Sequence, residues 1–239
     1  MYAYLIYYIL GFVMIPGIIL GIYAQCKVVN TFNEYNSTPT NRGRTAKEVA
    51  SLMLRGADYS TKINEIKGEL TDNYNPKTDV VSLSESVANK NSIAAISVAA
   101  HEVGHVFQHK QNYAPVKLRS ALVPILNISS FFMWPLIIVG LIIEMVAVSM
   151  LSSVLIYIGL GIYALNTLFA LITLPVELNA SKRAHQMLVG TYELTEEEAK
   201  ASKKVLNAAA WTYVAGLITS ILSLLRVLLF IFAIRNDKR

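Results

Sequence analysis

Apolar residues in this chain gather into runs longer than the stripe of a soluble amphipathic helix. Residues 2–24 carry no charged side chain, and about 20 apolar residues suffice to cross a bilayer once as a helix. No Lys or Arg precedes the run, and it is too long for a signal-peptide core, so it predicts a retained anchor. Pro16-Gly17 predicts a kink within it. Residues 120–174 contain one charged residue, Glu144. They are too long for one span and predict two helices, near 125–147 and 151–174, joined by a tight turn around Ser149 to Ser153. Residues 205–234 predict a fourth span. Tyr2, Tyr4, Tyr7, Tyr8 and Tyr23 on the first span, with Trp211 and Tyr213 on the last, suit the aromatic belts at membrane interfaces. Glu144 falls near the predicted hairpin end and reads as an interfacial carboxylate in preference to a functional intramembrane acid. Arg226, about 13 Å along the helix from Arg235, snorkels or pairs within the bundle.

Between the spans the pattern changes. Residues 36–43 read as a loop. Thr45, with Glu48 three residues on, forms a capping-box pattern that opens a helix from Ala46 to Arg55, stopped at Gly56. Lys62 to Ile66 and Val80 to Ser84 read as short strands, with Asn73 to Pro76 as a turn between them. Two uses of the second strand stay open: a free edge for an extended peptide, or a small structural hairpin. Thr195 and Glu198 repeat the capping box and open a helix that continues toward the fourth span, while the acidic run 196–198 suits its first turn. Together these elements predict a mainly α, integral membrane protein of one domain, 1–239. About four transmembrane helices accompany a small α+β part built from residues 25–119 and 175–204.

Composition agrees. The chain of 239 residues is 54% hydrophobic and only 15% charged, against about 25% charged in soluble domains. Cys26 is the single cysteine, which excludes an internal disulfide. The net charge of +5 comes with no nucleic-acid motif, so nucleic acid is not an expected partner. Basic residues near the span ends (Lys27, Lys110, Lys117, Arg119, Lys182, Arg183, Lys200, Lys203, Lys204) lie on the side of the polar parts. The hairpin turn has none, and the C-terminal tail carries Arg235, Lys238 and Arg239. The positive-inside rule then predicts a multi-pass cell-membrane protein with the polar parts in the cytoplasm, although the tail argues the other way.

Candidate chemistry is concentrated at His101-Glu102-Val103-Gly104-His105. On a helix, residues four apart share a face, so two imidazoles can address one metal ion while the intervening Glu102 takes a proton from an attacking water. The Ala-rich run Ser92 to Ala100 supplies the helical context. Gly104 costs that helix about 1 kcal/mol, which a close approach by another segment would explain. Two neutral imidazoles suit one Zn²⁺, and a catalytic zinc needs a third protein ligand. The extended HExxHxxGxxH pattern fails, because Gln108 and Gln111 stand at its Gly and third His. His109 lies about 12 Å along the helix from His101, too far for the same ion. Glu177, where the third span emerges, is the candidate third ligand, since a carboxylate at the edge of an apolar span needs a partner. Its other reading is a juxtamembrane ion pair with Lys182 or Arg183.

His101-Glu102-Val103-Gly104-His105 followed by Glu177-Leu178-Asn179-Ala180 resembles the integral-membrane gluzincins, the HtpX and CAAX prenyl proteases among them. Tyr113-Ala114-Pro115, Leu118 to Pro124, Thr173 to Glu177 and Lys204 to Ala210 are similar more specifically to the bacterial YugP-like neutral zinc metallopeptidases, over nearly the whole chain. The resemblance implies a gluzincin-like membrane zinc peptidase with Glu177 as the third ligand. HtpX-type proteins place an Asp four residues after that Glu, where this chain has Ser181. An Asp there would orient a ligand imidazole, and Ser181 is expected to do so more weakly.

These residues predict metal-assisted amide hydrolysis, with Arg183 or His185 as candidate donors to the oxyanion. The expected partners are a protein or peptide substrate, misfolded or membrane-associated, and the lipid bilayer. The sequence fixes no oligomeric state. Two other readings remain: a zinc-binding membrane scaffold without catalysis, for which Glu102 would be superfluous, and a zinc transporter. The transporter is disfavoured because the predicted spans offer only Glu144 and Arg226.

Overall fold

The structure, a computed structural model, describes residues 11–146 and 149–237. Tyr2, Tyr4, Tyr7, Tyr8, Lys238 and Arg239 fall outside the described residues. The elements in order are α1 (Ile15–Asn36), α2 (Ala46–Gly56), β1 (Lys62–Ile66), β2 (Asn73–Asn75), β3 (Val80–Ser84), α3 (Glu85–Ala88), α4 (Ile93–Lys110), α5 (Ala114–Val146), α6 (Met150–Gly190) and α7 (Glu196–Asp237). Helices α1, α5, α6 and α7 are long and apolar enough to cross a membrane. Each runs beyond the predicted span: α6 continues to Gly190 and α7 begins at Glu196. The expected kink in the first span is a break. Residues 13 and 14 form a turn, and Pro16 sits in the first turn of α1, where its missing N–H costs nothing.

The chain divides into two compact units. The first comprises residues up to Ile22, Leu118–Leu174 and Tyr213 onward. Its helices meet through small residues, as membrane helices do. A Cβ on Gly140 would lie 2.7 Å from Ile156 Cγ1, and one on Gly159 would lie 2.5 Å from Ile137 Cγ1. Ile137, Ile156, Leu160, Val227 and Ile231 form its core, while Phe12, Ile128, Phe131 and Phe232 stand exposed, a surface suited to lipid. Glu144 is buried. It accepts hydrogen bonds from Ser152 Oγ and from Arg235 Nε (3.2 Å), and Arg235 also reaches Tyr157 and Ser153. Glu144 is thus an enclosed ion-pair partner. Ser149 caps α6, its Oγ accepting from Ser152 N, so the turn into this helix is shorter than 149–153.

The second unit, Tyr23–Lys117 with Pro175–Thr212, carries the sheet and the HExxH helix. The Thr45–Glu48 capping box is complete, as are both bonds of the Thr195–Glu198 box. Both predicted strands form, but their pairing differs from a hairpin. The sheet order is β1-β3-β2, with β1 parallel to β3 and β2 antiparallel to it. Residues 67–79 supply the crossover that a parallel pair requires. Asn73 to Asn75, expected as a turn, are a strand, and the hairpin is β2–β3. As the central strand, β3 has no edge free. Ala46, Val49, Met53, Val81, Leu83, Val87, Ala95, Ala99, Val103, Leu188 and Tyr192 fill the core under α4.

Candidate metal centre

Helix α4 starts at Ser92, whose Oγ accepts from Ala95 N at 3.2 Å. Ala94, Ala95, Ala99 and Ala100 are fully buried along it, and such short side chains let neighbouring segments come close. The closest approach is at Gly104, where a Cβ would lie 2.5 Å from the carbonyl oxygen of Ala180 on α6. This crossing explains the glycine and brings Glu177 of α6 over His101 and His105 of α4.

The ligand atoms of His101, His105 and Glu177 lie within 4.8 Å of one another. Glu177 Oε2 is 3.2 Å from His101 Nε2 and 3.4 Å from His105 Nε2. The rings stand 4.8 Å apart and nearly perpendicular. Both imidazoles are partly exposed, whereas Glu177 is buried. Two imidazole nitrogens and a carboxylate oxygen form a donor set that suits zinc.

Each imidazole turns its other nitrogen to a partner, which fixes the ring and leaves Nε2 for the shared point. Ser181 Oγ sits 3.1 Å from His101 Nδ1. Gln108 Oε1 sits 3.0 Å from His105 Nδ1. Gln108 is completely buried and donates from Nε2 to Val176 O (2.7 Å) and Asn179 Oδ1 (3.0 Å). Neither Gln108 nor Asn179 had a role at the site predicted from the sequence. In the sequence Gln108 stands only as a mismatch to a longer motif, yet its position, three residues after His105, puts it on that histidine's helix face.

Glu102 is buried beside the histidines. Burial pushes its carboxyl above the usual carboxylate range. The charges of Glu177 and Asp72 add to that, against the opposing pull of His105 and His101. Asp72, also missed from sequence, is fixed by Ser84 N (2.8 Å) and Ser84 Oγ (3.0 Å). For His105, burial alone would favour the neutral ring, but the carboxylates of Glu177 and Glu102 reverse this and raise its pKa.

The two candidate oxyanion donors have other surroundings. Arg183 donates to Asn179 Oδ1 (2.8 Å) and Gln111 Oε1 (2.5 Å), with its guanidinium 5.9 Å from the Tyr113 ring centre. His185 lies about 12 Å along α6 from Glu177, with its buried Nδ1 unpaired. His109 is exposed and packs edge-on against Tyr74 at 6.2 Å.

Four long apolar helices and a His-His-Glu group that could hold a metal ion mark a membrane protein with a candidate catalytic metal site. The chain belongs to the family described as "Putative neutral zinc metallopeptidase", whose model matches residues 10–232. It is 41% identical over 229 residues to the "Putative membrane protease YugP" of Bacillus subtilis (strain 168), covering 95% of this chain and 98% of that relative. No solved structure matches it.

Proposed function

We propose that this protein is a multi-pass, membrane-embedded zinc endopeptidase of gluzincin type that cleaves membrane-associated or misfolded proteins or peptides. The observation that carries the reading is the convergence of His101, His105 and Glu177 within 4.8 Å, with Glu102 buried on the same helix. His101 Nε2, His105 Nε2 and a Glu177 oxygen would hold one Zn²⁺. The ion supplies a Lewis acid that polarises a carbonyl and lowers the pKa of water.

The remaining steps belong to the chain. Glu102 accepts the proton of the attacking water at its carboxylate, then returns it to the leaving amine. Ser181 and Gln108 hold the imidazoles in place from behind. With β3 internal to the sheet, an extended substrate would add its main-chain hydrogen bonds at an outer strand, and β2, which packs against α4, is the edge strand nearer the HExxH helix. The family assignment supports the peptidase class, and the long apolar helices support substrates close to the bilayer.

The test compares purified wild type with Glu102→Gln in detergent, zinc-loaded, on unfolded and membrane-protein substrates. Glu102→Gln is expected to retain zinc and to cleave about 10²-fold to 10⁴-fold more slowly, the range for loss of a general base. Equal cleavage by the two proteins would sink the peptidase reading. Zinc binding without cleavage by either would leave a scaffold, and metal flux without cleavage a transporter.

A further inference from the structure

We propose that Gln108, its amide held in one orientation by the Val176 carbonyl and by an Arg183–Asn179 hydrogen bond, sets the tautomer of His105, which makes Gln108 a positioning residue for the metal site. The inference rests on the zinc-site reading above. Its links are Arg183 Nε to Asn179 Oδ1 (2.8 Å), Gln108 Nε2 to the same Oδ1 (3.0 Å), and Gln108 Oε1 to His105 Nδ1 (3.0 Å).

The polarity follows from the chemistry of one end. Side-chain amides can turn over, so their neighbours decide which atom points where. A guanidinium donates and never accepts. The Asn179 atom facing Arg183 must therefore be its oxygen. That oxygen also faces Gln108, so Gln108 must present its NH₂ there. The carbonyl of Val176, 2.7 Å from the same nitrogen, imposes the same orientation independently. Gln108 then has only its oxygen left for His105. An amide oxygen only accepts, so Nδ1 of His105 carries the hydrogen and Nε2 keeps its lone pair. Nε2 is the atom that faces Glu177. Gln108 has no solvent exposure, so water cannot replace a broken link. The opposite tautomer would set a bare nitrogen against a buried oxygen, which is costly in the interior.

His101 lacks such a chain. Its partner is the Ser181 hydroxyl, which can either donate or accept and so dictates no tautomer. The two ligand imidazoles are thus controlled unequally, with His105 fixed by the oriented Gln108 amide and His101 adaptable.

The experiment uses the full-length protein in detergent, with Zn²⁺ affinity measured by chelator competition. Gln108→Met and Gln108→Glu both lose the donor to Val176 and Asn179, but Glu keeps an acceptor for His105. Gln108→Met is expected to bind Zn²⁺ about 10-fold to 100-fold more weakly, the range for lost support of a ligand histidine, and Gln108→Glu to stay near wild type. Arg183→Met, which leaves the Val176 carbonyl to orient Gln108, should weaken binding less than Gln108→Met. The chain has four histidines, so long-range ¹⁵N–¹H spectra of the imidazoles are tractable. In metal-free wild type at mildly alkaline pH, His105 should already be the Nδ1–H tautomer. An Nε2–H tautomer there, equal losses in both Gln108 variants, or no loss in either would overturn the proposal. Failure of wild type to bind zinc would instead overturn the metal-site reading, and the tautomer spectrum would still decide the chain.

Discussion

At Gly104 two rules of helix chemistry conflict, and a distance decides between them. Alanine would stabilise an ordinary helix interior by about 1 kcal/mol over glycine. Here its methyl would fall 2.5 Å from the Ala180 carbonyl oxygen, and that neighbour is backbone, which cannot rotate aside. Overpacking a tight interior costs about 1–3 kcal/mol, so the clash outweighs the propensity gain. Gly104→Ala is expected to lower the thermal midpoint and to weaken Zn²⁺ binding, since the ligands sit on the two helices it would force apart. A melt and chelator competition check both, and an unchanged variant would refute the close-crossing argument. At this scale the sequence was informative wherever the chemistry is local. His101, Glu102 and His105 are legible because helix periodicity sets their spacing, and the cost of Gly104 already implied a close neighbour. Gln108 was opaque because the partners that orient it, Val176 and Asn179, lie 68 and 71 positions away.

Among the elements, capping boxes and strands were readable from local pattern, but strand order was not. Alternation marks a strand without naming its neighbour, so the parallel β1–β3 pair and the short β2 emerged only from the fold. Asp79 ties these pieces together. It accepts from Thr61 (2.9 Å), Tyr74 (3.0 Å) and Lys110 at the end of α4 (2.6 Å). Burial opposes its ionisation, but the bonds from Lys110, Thr61 and Tyr74 outweigh this and hold its carboxyl below the usual range. A carboxylate depressed in the folded state stabilises that state above its unfolded pKa of about 3.9. The contribution is lost as pH falls through the lower folded value. Wild type should therefore exceed Asp79→Asn in thermal stability at pH 7, and the gap should close below about pH 4. A gap that persists or widens in acid would contradict this role for Asp79.

For the molecule as a whole, the proposed four spans would put the polar parts on one side of the bilayer and the α5–α6 connection on the other, an expectation that labelling can test. Tyr23 and Trp211 pack edge-on at 6.4 Å, with Lys27 Nζ over both rings at 5.5 and 5.2 Å. Such an aromatic pair with a snorkelling cation belongs at a membrane–water boundary. Cys26 lies three residues past Tyr23, is exposed and is the only cysteine in the chain, so it is a native probe of that side. Met150, 85% exposed beside the turn, is a suitable site on the other. The charge rule predicts the polar parts in the cytoplasm, and of the tail's basic residues Arg235 is engaged with Glu144. In intact cells a membrane-impermeant maleimide is expected to leave Cys26 unlabelled until the membrane is permeabilised. Met150→Cys, in a Cys26→Ser background, should label without permeabilisation. Labelling of both sites from the same side would refute the four-span reading. A complete reversal would keep the spans and place the His-His-Glu site outside the cytoplasm.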